Sequence, residues 1–179
     1  MKKYEMRELI TANIGQKRLF KYKRDKCAHY YHFSVLLTMG KDLILGLNED
    51  DFIFDGYSIV RFRDINEIEL KGDFYEEILK KEGLFENIEI PNIRTDSWKT
   101  VFEDLYKIGK NIIIENESIN DDEAEFAIGK IVHVYNNSVH FKHFDADGIW
   151  EEYPLIIPYS KITTVTFGSR YVEFFSKYV

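Results

Sequence analysis

The sequence predicts a mainly β chain with short flanking helices, built from two similar copies of one small module. Three observations predict it. The chain matches itself in three ungapped blocks taken in the same order. Its aromatic share is 16%, from 14 Phe, 12 Tyr and 2 Trp, and aromatic residues favour pleated, half-buried surfaces. Its apolar runs are strand-sized and are separated by Gly, Asn and Asp turns.

The self-match runs as follows. Ile14-Gly15 falls on Ile108-Gly109 at an offset of 94. An offset of 96 then holds from Leu43 to Tyr57, so that Leu43 and Leu45 meet Val139 and Phe141, and Phe54 meets Trp150. One extra residue enters the second copy near Pro154 and Pro158. At an offset of 97, Ile65 meets Ile162, Ile68 meets Val165, and Leu70 meets Phe167. The match divides the chain into a first module at 1–83, an ordered linker at 84–95 carrying Phe85, Ile88 and Ile90, and a second module at 96–179.

Each copy opens on a helix. Met6, Leu9 and Ile10 share one face in the first; Trp98, Val101, Phe102, Leu105 and Ile108 do so in the second, behind an N-cap at Asp96 or Ser97. Gly15 and Gly109 end these helices. Five strands follow in each copy, at 17–23 and 111–117, 31–38 and 126–135, 43–47 and 139–144, 57–63 and 155–159, and 67–70 and 163–167. Gly40 and Asn136-Asn137 supply the tight turns. A loop rich in Asp and Gly leads into the fourth strand. A short helix closes each copy, lined by Phe74, Ile78 and Leu79 in one and by Tyr171, Phe174, Phe175 and Tyr178 in the other. Leu43, Leu45, Ile65 and Ile68, with Val139, Phe141, Ile162 and Val165, are expected to be buried in equivalent places.

A helix, five strands in meander order and a second helix make a small, strongly bent β-barrel, with the layout of the Sm-like fold. The segments Asp51 to Ile65 (DFIFDGYSIVRFRDI) and Phe144 to Tyr153 (FDADGIWEEY), with Tyr171-Val-Glu-Phe-Phe, resemble a group of small bacterial proteins common in Gram-positive species. Copy one keeps Asp55-Gly56-Tyr57 and Arg61 to Ile65; copy two keeps Phe144-Asp145 and Gly148 but has Glu151-Glu152 for the Asp-Gly pair. The resemblance implies tandem Sm-like modules and implies no activity. Sm-like proteins proper bind RNA through a Gly, Asp, Asn signature. Here Gly129 fits the first position, but Tyr135 and Val139 occupy the others, and copy one has Phe33 in place of the Gly. Likeness of fold does not carry function with it.

Cys27 is the one cysteine, so no internal disulfide forms, and a reducing cytoplasm is the expected location. The first residues have mixed charge and no apolar core, unlike a signal peptide, and no apolar run spans a membrane. His140 and His143 project from opposite faces of one strand, which is wrong for a shared metal. Asp145-Ala-Asp147-Gly148 begins like a calcium loop, yet its twelfth position is Ile156 where a Glu is required. Ser138, His140 and Asp145 lack a nucleophile elbow and a Gly-rich oxyanion loop. No phosphate-cradling Gly motif occurs. The expectation is a non-enzymatic chain without cofactor or metal.

Charge is distributed unevenly. Residues 1–26 hold nine Lys/Arg against three acids, a charge of +6; the remainder carries −13. Lys17, Lys21, Lys23, Arg24 and Lys26 surround Phe20 and Tyr22 on the first strand. The equivalent stretch of copy two is acidic, with Glu115, Glu117, Asp121, Asp122 and Glu123, and no Lys or Arg from 111 to 129. Unlike edges suit a contact, either module on module or head to tail between chains. A regulatory or interaction module that binds another protein, or itself, is the leading expectation. Single-stranded nucleic acid on the basic first strand is the alternative, with phosphates on the lysines and bases on Phe20 and Tyr22. The net charge of −7 disfavours it.

Overall fold

The structure is a computed structural model and describes residues 1–179, apart from the side chain of Asp121. Its elements are α1 (Lys3–Asn13), β1 (Leu19–Lys23), β2 (Tyr31–Met39), β3 (Leu43–Asp50), β4 (Ile53–Arg61), β5 (Glu67–Leu70), α2 (Phe74–Lys81), α3 (Trp98–Ile108), β6 (Ile112–Asn116), β7 (Glu125–Val134), β8 (Ser138–Phe144), β9 (Leu155–Pro158), β10 (Thr164–Phe167) and α4 (Arg170–Phe175). The fold is mainly β, with all ten strands in one antiparallel sheet.

The strands lie in the order β5-β1-β2-β3-β4-β10-β6-β7-β8-β9. Each half keeps its five strands together, and β4 and β10 join the halves along a seam. Tyr57 lies opposite Phe167, Ile59 opposite Val165, and Val60 opposite Thr164. The sheet does not close, so the barrel expected from the meander order is open. The physical reason is that β4 gives its outer edge to β10 of the other half, which leaves β5 and β9 with one neighbour each.

Alternation of apolar residues along the strands builds three cores. Met6 and Ile10 of α1 pack on Phe20, Tyr22, Leu36, Ile44, Val60, Ile65 and Ile68. The largest core lies between the halves, where α3 brings Trp98, Val101, Phe102 and Leu105 against Leu43, Leu45, Ile59, Val139, Phe141, Ile162 and Val165. Leu79 of α2 joins it, as do Phe85 and Ile93 of the segment between the halves. A small third core sets Val172 of α4 against Ile113, Ile128 and Phe144. All eight residues expected in the core are buried, but not in equivalent places: Ile65 and Ile68 lie in the core under α1, and Ile162 and Val165 lie in the large core.

The segment between α2 and α3 lies close to the sheet. A Cβ on Gly40 would come within 1.9 Å of the Thr95 carbonyl oxygen, so only glycine fits there. Ser97 caps α3: its Oγ accepts from the Thr100 N–H at 3.2 Å, and Thr100 Oγ1 accepts from the Ser97 N–H at 3.1 Å. Ser97→Ala is expected to lower stability by about 1 kcal/mol in urea denaturation.

Two local expectations need correction. Strands β3 and β4 meet in a two-residue turn at Asp51-Phe52, where φ is 46° and 66°, and not in a long loop. Left-handed conformations are costly for Phe. Here Phe52 stacks on Tyr75 at 4.3 Å, and its N–H donates to Glu49 Oε1 at 2.8 Å and to Tyr75 Oη at 3.0 Å. The closing helices also present other faces. Phe74, Tyr171, Phe174 and Tyr178 are exposed; Leu79 is buried as expected, and in α4 Val172 takes the buried position.

Candidate functional site at the seam and the free edge

Arg24 directly follows β1. Its side chain is 1% exposed, and it meets Glu117 across the seam with Nη1 donating to Oε2 at 2.7 Å and Nη2 to Oε1 at 2.6 Å. Nη1 also donates to Thr164 Oγ1 at 2.8 Å. Glu117 accepts further bonds from Thr163 Oγ1, at 2.8 Å, and from Thr164 Oγ1. The planar fork of a guanidinium matches a carboxylate in this two-point way. Burial opposes both charges, yet each partner holds the other ionised: the Arg24 pKa is raised and that of Glu117 lowered. Among the described residues, Arg24 Nε is buried without a partner.

Two neighbours feel this pair. His32 stacks on Tyr22 at 5.2 Å, and its Nε2 lies 3.4 Å from Arg24 Nη2. Burial, aided by the Arg24 charge, pushes its pKa down to about 4. Glu115 sits beside Glu117. Burial first, and then the Glu117 charge, push its carboxyl up to about 7. Burial raises the Cys27 thiol to about 11, so that it is not a ready nucleophile.

Further along the seam a polar row crosses β2, β3, β4 and β10. Ser34 Oγ donates to Asn48 Oδ1 at 3.3 Å, Asn48 Nδ2 donates to Ser58 Oγ at 2.8 Å, and Ser58 Oγ and Thr166 Oγ1 are 2.9 Å apart. At its far end, Asp55 Oδ1 accepts from the Arg170 N–H at 2.7 Å. Gly56, at φ 72°, lets Ser169 approach its backbone, and Tyr57 stacks on Phe167 at 5.3 Å. Asp55-Gly56-Tyr57, one of the motifs that carried the resemblance, is seam material.

The charged residues singled out in the sequence divide. Arg24 and Glu117 come together. Lys26 belongs to the same contact through its backbone, its carbonyl accepting from the Ile119 N–H at 3.3 Å. Lys21 pairs with Glu69 at 3.1 Å and Lys23 with Asp25 at 3.0 Å, within the first half. Lys17 Nζ donates to the Glu86 carbonyl at 3.2 Å. Asp122 and Glu123 are exposed beside the seam, and among the described residues neither enters an ion pair. The side chain of Asp121 lies outside the described residues. Phe20 and Tyr22 are buried at 0% and 3%, so they offer no face to a base.

Sequence reasoning missed the free edge of β9. The Tyr159 N–H donates to the Asn137 carbonyl at 3.0 Å, and Val139 lies opposite Ile157. In an antiparallel ladder, alternate residues turn their backbone groups to one neighbour. Leu155 and Ile157 therefore face β8, and Pro154, Ile156 and Pro158 turn their backbone groups outward. Ile156 is 63% exposed. A groove of about 470 Å³ runs beside this strand, lined by Ile114, Phe126, Ala127, Ile157 and Ile162 and crossed by the Lys161–Glu125 ion pair at 3.5 Å. The signal was present in the sequence, since Leu155-Ile156-Ile157 is an apolar run bracketed by prolines.

No group of three or more metal-ligating side chains converges among the described residues. No helix among them is long and apolar enough to cross a membrane. Comparison with family models, with curated proteins and with solved structures gives no match to this chain.

Proposed function

We propose that the chain is a non-enzymatic interaction module that binds another polypeptide along the free edge of β9. The observation that carries this reading is Ile156. It combines an exposed apolar side chain with outward backbone N–H and C=O groups, next to an apolar groove. Edge strands of this kind recruit a further strand, with main-chain hydrogen bonds for affinity and side-chain pockets for selection. In this reading the buried seam is structural: it fixes the two halves so that the groove keeps its shape. The chain works as two Sm-like modules, 1–83 and 96–179, in the cytoplasm, like the small bacterial proteins whose motifs it resembles. Two features support the tandem reading. The order β5-β1-β2-β3-β4 recurs as β10-β6-β7-β8-β9, and each first strand follows a helix that packs on the sheet.

A photoreactive residue placed at position 156 in cells is expected to form an adduct with a polypeptide, and the same probe at exposed Glu82 is not. Absence of any polypeptide adduct at 156 overturns the proposal. A gel shift with single-stranded RNA and DNA at two salt concentrations tests the nucleic-acid alternative. The expected result is no salt-sensitive shift, because Phe20 and Tyr22 are core residues and Lys21 and Lys23 are already paired.

A further inference from the structure

A cleft in the first half lies far from β9 in the order of strands. We infer that it binds a small organic dication, with a guanidinium or ammonium group on Glu49 and a second ammonium at Asp50 and Asp51.

The cleft exists because β2 and β3 separate before either strand ends. Their ladder stops at the pair Ser34–Asn48. Beyond it, Tyr31, His32 and Phe33 of β2 stay paired with β1, while Glu49 and Asp50 of β3 stay paired with β4. The β3–β4 register shifts between Leu47 and Glu49, and an irregularity of this kind bends a strand. The space that opens has a volume of about 530 Å³. Phe33 lines it from β2, Glu49, Asp50 and Asp51 from β3 and its turn, and Lys71 and Tyr75 from the segment around the start of α2.

Glu49 decides what the cleft takes. It is 7% exposed, and among the described residues no cationic side chain pairs with it. Its Oε1 accepts from the Phe52 N–H at 2.8 Å and from Tyr75 Oη at 2.5 Å, which leaves Oε2 without a donor among the described residues. Oε2 is not sealed in the interior, and Glu49 lines the cleft, so a ligand can reach it. A buried carboxylate with a free oxygen is satisfied best by a cationic N–H donor. The rings favour the same charge. Lys71 Nζ lies 5.7 Å from the centre of the Phe33 ring and 5.6 Å from that of Tyr75, so these walls already hold an ammonium group. Lys71 is paired with Asp73 at 2.6 Å and leaves Glu49 unanswered. Asp50 and Asp51 are exposed, and among the described residues neither enters an ion pair. With three carboxylates against one lysine, the lining repels anions and selects a ligand that is positive at both ends.

Titration calorimetry of the full chain with agmatine, a guanidinium and an ammonium joined by an alkyl chain, is expected to show one site. Free arginine, which adds a carboxylate, is expected to bind more weakly. Glu49→Gln keeps an acceptor for Phe52 and Tyr75. It is expected to melt with the parent and to weaken agmatine by about tenfold or more. Asp50→Asn with Asp51→Asn is expected to remove the advantage of agmatine over butylguanidine, which carries the guanidinium alone. Lys71→Met removes the resident cation and is expected to tighten agmatine binding. Glu123→Gln, at an exposed position outside the cleft, is expected to bind as the parent does. A parent that does not bind agmatine overturns the inference. So does equal weakening by Glu49→Gln and Glu123→Gln, which is the result for diffuse attraction to an acidic surface. Free arginine or butylguanidine binding the parent as tightly as agmatine also overturns it. Should Glu49→Gln melt below the parent, Lys71→Met decides: tighter agmatine binding upholds the inference, and unchanged or weaker binding overturns it.

Discussion

Replacing Arg24 by Ala is expected to destabilise the fold by about 3–5 kcal/mol, because it leaves Glu117 as a buried charge without its counter-ion. Exposure decides the size of the effect. Arg24 and Glu117 are 1% and 15% exposed, whereas a solvent-exposed pair contributes at most about 1 kcal/mol. Glu117→Ala is expected to cost a similar amount by leaving Arg24 unpaired. The double variant Arg24→Met, Glu117→Leu removes both charges and fills the space. It is expected to recover most of the loss, since apolar replacement of a buried pair is often neutral or better. Urea denaturation of these chains checks the three outcomes, and the combination Arg24→Ala, Glu117→Ala closes the cycle that gives the coupling. A loss of about 1 kcal/mol or less for Arg24→Ala would show that water screens the pair.

The second large effect is in the pH dependence of stability. Glu115 has an ordinary pKa of 4.5 and is pushed up to about 7 in the fold. Between these values the folded chain holds a proton that the unfolded chain releases. Its contribution is therefore fully present below 4.5 and is lost as pH rises through 7. The gap corresponds to about 3 kcal/mol at most. His32 acts in the opposite sense. Its pKa falls from 6.5 to about 4, so the folded chain resists a proton that the unfolded chain takes, and stability is lost as pH falls from 6.5 toward 4. The two slopes oppose each other, and the parent is expected to be nearly level from 6.5 down to 4.5. Glu115→Gln removes one slope. It is expected to be more stable than the parent above pH 7 and to lose stability steadily on acidification below 6.5. Denaturation curves at a series of pH values check this. Parallel pH profiles for the two chains would mean that Glu115 is solvated.

Much of the architecture was legible in residue patterns. Alternation placed the strands, and Gly15 and Gly109 marked the helix ends. The errors lie where local chemistry was overruled. Residues 50–56 look like a loop because Asp and Gly dominate them, yet Glu49 and Tyr75 hold Phe52 in a left-handed turn and both strands lengthen. The gapless offset of 96 set Leu43 and Leu45 on Val139 and Phe141. Relative to the helix that opens each half they point opposite ways. Ile44 faces α1, Leu43 and Leu45 face away from it, and Val139 and Phe141 face α3. The ladders make Ile44, and not Leu43, the counterpart of Val139, an offset of 95, because Phe62 bonds to Asp42 as Tyr159 bonds to Asn137; an alignment displaced by one residue turns every side chain to the other face.

The charge pattern pointed to the seam through opposite signs, and Arg24 with Glu117 answered to it. The threonines that complete that site were not visible, because Thr163 and Thr164 read as ordinary strand residues. What makes them part of it is the pairing of β10 with β4 and β6, a long-range choice that no local window contains. The same holds for Ile156: its outward backbone follows from the phase of the ladder and not from composition.

The seam also has a consequence for the order of synthesis. Strand β4 leaves the ribosome with the first half, but its partner Thr164–Phe167 is made about a hundred residues later. At roughly 5–20 residues per second this interval lasts on the order of 5–20 s. Throughout it the nascent chain displays the outer edge of Ile53–Arg61, a strand with Ile59 and Val60 in its second half and no proline to blunt it. Neighbouring chains on one messenger could pair through that edge before translation reaches β10. A chain cut short before Thr164 would keep the edge open permanently, and such fragments are expected to aggregate where the full-length chain does not.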